Sequence, residues 1–126
     1  MKFLCLGYYD EKKFEAMPKD QVNALVAQCQ PFDAKLRESG HMVLVASLGP
    51  SNASISIRPR HGKPQITDGP YAETKEQIGA FFLIEAADTA EAIRIASTHP
   101  AANLGEQVGW GIEVRPIEYY DQPKAG

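Results

Sequence analysis

Between Ile78 and Ala87 the chain reads Ile-Gly-Ala-Phe-Phe-Leu-Ile-Glu-Ala-Ala, a strand-length run with apolar side chains on both faces. Successive side chains of a strand point to opposite faces. Phe81 and Leu83 therefore stand on one side and Ala80, Phe82 and Ile84 on the other. A sheet with one face in water would alternate apolar and polar residues; this strand needs cover on both. Segments 3–6 and 42–46 make the same demand. Two helices can cover only one face, and a Leu or Phe left uncovered forfeits about 1.5–3 kcal/mol. The economical cover is a second copy packed sheet against sheet about a two-fold axis, a homodimer. The alternative is a monomer whose loops fold across that face.

The remaining elements follow from period and punctuation. Residues 2–8 read as a strand through Phe3, Leu4, Cys5 and Leu6, followed by a polar connection. Pro18 suits a first helical turn, and Val22, Leu25, Val26, Cys29, Phe32 and Leu36 recur at helical spacing. Pro31 predicts a kink within that helix, and Gly40 its end. Met42–Leu48 is a second strand, and 53–59 alternates with Ile55 and Ile57 on one face. His61-Gly62-Lys63 reads as a hairpin tip, with the return strand at 64–67. Asp88 with Glu91 forms a capping box for a helix that ends near His99-Pro100. Residues 108–118 are the last strand, with Trp110, Ile112 and Val114 on one face and Glu113 and Arg115 on the other. This order predicts one α+β domain over 1–126: a ferredoxin-like antiparallel sheet with both helices on one face and a flexible tail at 121–126.

Composition excludes several classes of function. A chain of 126 residues buries roughly two thirds of its unfolded surface, enough for a core without disulfides or metals. The formal net charge of −3 leaves no basic footprint, so no nucleic-acid partner is expected. No apolar run approaches the ~20 residues of a membrane span. The opening Phe3-Leu4-Cys5-Leu6 is too short for a signal segment, which predicts a cytoplasmic location. Cys5 and Cys29 read as small buried residues, and His41, His61 and His99 have no metal-ligand spacing, so no metal site is expected.

The densest polar chemistry is Asp68-Gly69-Pro70-Tyr71-Ala72-Glu73-Thr74-Lys75-Glu76, just before the apolar strand. Together with Gly79-Ala80-Phe81-Phe82-Leu83-Ile84-Glu85 and the closing Ile112-Glu113-Val114-Arg115-Pro116-Ile117, it resembles the signature of the YCII-related superfamily, DGPF-domain branch. The similarity covers essentially the whole chain, with Tyr71 where that branch usually has Phe. The resemblance implies a dimeric α+β barrel. It also implies two possible roles: lyase or dehydrohalogenase chemistry through a His–Asp pair, or association with an extracytoplasmic-function sigma factor. Shorter YCII members carry a histidine in the first helix region, and residues 18–39 here contain none.

Residue by residue, two readings stand side by side. Asp68 is either a turn former before Gly69-Pro70 or a pocket carboxylate, since Asn or Ser would serve the turn equally well. Glu73, Lys75 and Glu76 are a solvated cluster, or Glu73 and Lys75 point inward at a ligand where Gly79 and Ala80 leave room. Tyr71 is a lid or packing ring. His99, at a helix C-terminus whose dipole favours its protonated form, is a cap or a general base. Arg115 forms a cross-strand pair with Glu113 or holds an anion.

The first functional expectation is a small-molecule-binding protein or enzyme with a pocket between sheet and helices. Asp68 and His99 are its catalytic candidates, and Tyr71, Glu73, Lys75 and Arg115 its ligand-binding ones. The chemistry would be cofactor-independent proton transfer of the lyase or isomerase type on a small anionic or aromatic ligand. The alternative is a non-enzymatic regulatory partner of an extracytoplasmic-function sigma factor.

Overall fold

Strand β1 (Lys2–Asp10) sorts its side chains as the alternation demands. Phe3, Cys5 and Gly7 are buried on one face, and Leu4, Leu6 and Tyr8 are half-buried on the other. In the computed structural model, which describes residues 1–123, this strand is central to a four-stranded sheet. The order is β2 (Met42–Ser47), β5 (Glu76–Glu85), β1, β6 (Gly111–Pro116), with every neighbour antiparallel. A separate hairpin of β3 (Ile55–Arg60) and β4 (Lys63–Asp68) is inserted between β2 and β5. The fold is α+β and ferredoxin-like.

Phe3, Cys5, Phe82 and Ile84 point to the helix side. There they join Leu36 of α2 (Lys19–Glu38) and Ala92, Ile95 and Ala96 of α3 (Thr89–Ala96) in one core. The expected cap is formed with one shift: the Glu91 N–H donates to Asp88 Oδ1 at 2.9 Å, while Glu91 Oε1 accepts from the N–H of Ala87, one residue before the N-cap, at 3.0 Å. On the opposite sheet face Leu4, Leu6 and Phe81 are half-buried and Leu44 is exposed, while Leu83 is buried among them.

Several local expectations are corrected. The connection after β1 contains a helix, α1 (Glu11–Ala16), nucleated by Asp10, whose carboxylate accepts the Lys13 N–H at 3.1 Å. Pro18 is the N-cap of α2 rather than part of its first turn. As expected, α2 remains one helix through Pro31 rather than two: the Ala27 carbonyl that Pro31 cannot serve lies on an exposed side, where water can. Val26, at 58% exposure, lies outside the buried stripe. The last strand begins at Gly111, because a short 3₁₀ turn occupies Glu106–Val108.

The hairpin turns on His61 (φ 51°) and Gly62 (φ 77°), two left-handed residues as a two-residue type I′ turn requires. Ile55 and Ile57 share a face as expected, but they are 65% and 61% exposed, and Ile66, opposite Ile57, is 68% exposed. Of the tail expected at 121–126, residues 121–123 are exposed and without secondary structure, and 124–126 lie outside the described residues.

Candidate functional site

A β-bulge fixes where the sheet opens. Gly7 pairs with Ala80 but Tyr8 with Ile78, so Gly79 is the extra residue. A Cβ at Gly79 would come within 2.7 Å of Tyr9 Cδ1, so the Tyr9 ring lies directly over it. The room anticipated at Gly79 for Glu73 and Lys75 is thus filled by Tyr9. Tyr9 in turn meets Phe14 of α1 edge to face, with centroids 5.7 Å apart. These rings, with Trp110, wall a cavity of ≈ 590 Å³ between the sheet and α2, into which Cys29, Asp33, Arg37 and His99 also face. That volume lies within the range of small-molecule sites.

His99 is set by the chain after α3. The helix ends at Ala96, and His99 is the N-cap of the 3₁₀ turn Pro100–Ala102, so it does not occupy the helix C-terminal position expected for it. Its Nδ1 accepts the Ala101 N–H at 3.0 Å. An accepting Nδ1 places the proton on Nε2. The ring lies flat on Phe82, with centroids 4.6 Å apart and planes 2° from parallel. Burial lowers its pKa, and the Asp33 carboxylate across the cavity pulls the other way. In place of the dipole-favoured imidazolium stands a half-buried ring whose accepting Nδ1 carries no proton. Nε2 has no hydrogen-bond partner among the described residues, yet it is not sealed away, so its N–H faces open space.

Cys29 is not poised as a nucleophile. Burial, reinforced by the charge of Asp33, raises its pKa, and its Sγ donates to the Leu25 carbonyl at 3.3 Å. Tyr9 is pushed up to about 12 by burial first and then by its hydrogen bond to Glu11, so it remains a neutral phenol. The Glu11 carboxylate accepts from Tyr9 Oη at 3.1 Å, from the Ser51 N–H at 2.8 Å and from Ser51 Oγ. This network ties α1 to the turn after β2 and so holds one rim of the cavity.

A second cavity of ≈ 760 Å³, open to solvent to much the same degree as the first, lies between the hairpin and the other sheet face, lined by Tyr8, Leu48, Ile55, Ile57, Tyr71 and Ile78. Among the described residues its only ionisable side chains are Tyr8, Tyr71 and Glu76.

Within one chain the structure divides the expected site residues. His99 alone lines the helix-side cavity, and Tyr71 lines the hairpin-side one. The Tyr71 ring lies under the Arg58 guanidinium, 4.0 Å from centroid, and Arg58 Nη2 donates to its carbonyl at 2.7 Å. Asp68 ends β4 opposite Ile55, exposed, and lines neither cavity; nor do Glu73 and Lys75, also exposed. Arg115 is exposed on β6, on the sheet face away from the helices, 3.7 Å from Glu113 of the same strand.

Sequence reasoning missed Tyr9, Asp33 and Arg37 and read Trp110 only as packing. A signal existed: Cys29, Asp33 and Arg37 repeat every fourth residue, so they share one face of α2 beside the apolar stripe. Among the described residues no group of three or more His, Cys, Asp or Glu side chains could hold a metal ion, and no helix is long and apolar enough to cross a membrane.

Two comparisons place the chain as a whole beside known proteins. The family model of the YCII-related domain matches residues 1–117. An uncharacterized protein of Rhizobium meliloti (strain 1021) is 33% identical over 120 residues, spanning 95% of this chain and 94% of that one.

Proposed function

The chain belongs to the YCII-related domain family, and from that premise we propose that it binds a small molecule in the cavity beneath His99 and moves a proton on it without a cofactor. The observation that carries this reading is the half-buried His99 imidazole, stacked on Phe82 and lining the cavity that Asp33 also lines, with an Nε2–H that no described residue accepts. A neutral imidazole donating from Nε2 suits it to stabilise negative charge developing on a substrate oxygen. Asp33 is then the base: it takes a proton from the adjacent carbon and returns it to a neighbouring atom, an isomerisation, or passes it on as a leaving group departs. His99 acts as donor rather than base because its other nitrogen is occupied by Ala101.

A thermal-shift screen with small ketones and organic acids, repeated on His99→Gln and Asp33→Asn, tests this reading. Ligands that stabilise the wild type should lose that effect in at least one variant. Stabilisation untouched by both substitutions would remove the cavity from consideration.

A second copy is the proposed cover for the sheet face opposite the helices, where Leu4, Leu6, Phe81 and Leu44 stand without a helix over them. The exposed Ile55, Ile57 and Ile66 of the hairpin extend the apolar surface available to a partner. The exposure of residues 71–76 supports a second reading, a docking surface for an extracytoplasmic-function sigma factor. Co-purification with such a factor, abolished by Lys75→Glu, would favour it over the enzyme.

A further inference from the structure

We propose that the His99 cavity takes a small monocarboxylate with an aromatic or apolar body, and that Arg37 is the residue that holds its carboxylate. This rests on the reading of that cavity as a ligand pocket and adds the class of ligand. Among the described residues Asp33 and Arg37 are the only charged side chains lining it, the accepting Nδ1 of His99 leaving that ring neutral. They stand one turn apart on the same face of α2. Asp and Arg at this spacing ordinarily pair, yet no ion pair or side-chain hydrogen bond engages either among the described residues. The guanidinium is therefore uncommitted, exposed, and at the cavity's edge.

The remaining surface selects the rest of the molecule. Tyr9, Phe14 and Trp110 supply flat apolar walls, and a space of ≈ 590 Å³ accommodates a one-ring acid. A planar guanidinium matches a carboxylate through two parallel N–H···O bonds, which an amide or ester cannot reproduce. Charge disfavours a dianion more than a monoanion: a phosphate would meet the single guanidinium and keep a second negative charge, uncompensated, beside the Asp33 carboxylate. A monocarboxylate meets Arg37 as a full partner while the neutral His99 Nε2–H remains free for a second oxygen.

The test is a fluorescence titration of the full chain through Trp110, its single tryptophan and a wall of the cavity. The probes are phenylacetate and its uncharged analogue phenylacetamide, with wild type and Arg37→Gln compared. Wild type should bind phenylacetate about tenfold more tightly than the amide. Arg37→Gln should bring the two to near parity while leaving the amide's affinity unchanged. Circular dichroism should show an intact fold, since the side chain is exposed. A preference for the acid that survives Arg37→Gln overturns the assignment. Equal binding of both probes to wild type also overturns it but leaves the cavity reading standing. Binding of neither removes the cavity reading, and this inference with it.

Discussion

The imidazole of His99 lies face to face on the ring of Phe82, with centroids 4.6 Å apart and planes 2° from parallel. Phe82 is itself buried in the core, so the histidine is fixed by the most apolar strand of the sheet. One side of the residue thus belongs to the hydrophobic core and the other to a cavity. This is what allows a neutral imidazole to be held without a carboxylate clamped to it.

His99 should titrate below its ordinary value of 6.5, because burial opposes the charged form more than Asp33 favours it. A depressed folded value means that its contribution to stability is complete above 6.5 and is lost as pH falls through the folded value. Histidine side-chain NMR should show the low midpoint, and Phe82→Ala should move it back towards 6.5. An unshifted midpoint in the wild type would contradict the burial.

Glu11 makes the tie between α1 and the turn after β2 sensitive to acid. Its carboxyl is held below its ordinary 4.5 first by the Ser51 hydroxyl and then by the Ser51 N–H, with a smaller share from Tyr9. The stability this network contributes is complete above 4.5 and fades as pH falls through the folded value. Ser51→Ala should cost about 1 kcal/mol in urea unfolding at pH 7. The difference should shrink at pH 3, where Glu11 accepts less in either protein. An equal loss at both pH values would place the effect elsewhere.

Gly105 and Gly111 separate close approach from mere flexibility. A Cβ at Gly105 would sit 2.3 Å from Trp110 Cδ2, and the residue has φ +75°. Gly105→Ala should therefore destabilise by about 2 kcal/mol or more and shift the Trp110 emission. A Cβ at Gly111 would meet nothing within 4 Å among the described residues, and Gly111→Ala should be close to neutral. Chemical denaturation of the two variants side by side checks this.

Much of the frame was legible in the sequence because it depends on local period and punctuation. The two-sided apolarity of Phe81 to Ile84, the hairpin at His61-Gly62 and the Asp88–Glu91 cap all survive into the structure. Helix α1 was not legible, since Glu11-Lys12-Lys13 reads as a solvated connection until Asp10 is seen capping it. The site was only half legible. His99 is conspicuous beside Pro100, but the Asp33 that shares its cavity is an exposed helical residue of ordinary appearance, and only the packing of α2 on the sheet makes them neighbours. The Asp68–Glu76 run drew attention through its polarity, yet residues 71–76 are all exposed, because the inserted hairpin carries the run away from the helix-side core.

The apolar sheet face predicts a dimer. Light scattering at micromolar concentration should give twice the 13.8 kDa chain mass. Phe81→Asp, on the face away from the helices, should yield a folded species of single mass or push the dimer to much higher concentration. A wild-type protein that stays monomeric at high micromolar concentration would show that this face is covered in another way.

The account turns on the cavity beneath His99 being where ligands bind, and amide chemical-shift mapping tests that most directly. Small organic acids and aromatic fragments titrated into ¹⁵N-labelled protein should perturb Cys29, Gly79, Ala101 and the Trp110 indole together, all of which line that cavity. Perturbations confined to Ile55, Ile57 and Tyr71, which line the hairpin-side cavity instead, would contradict it.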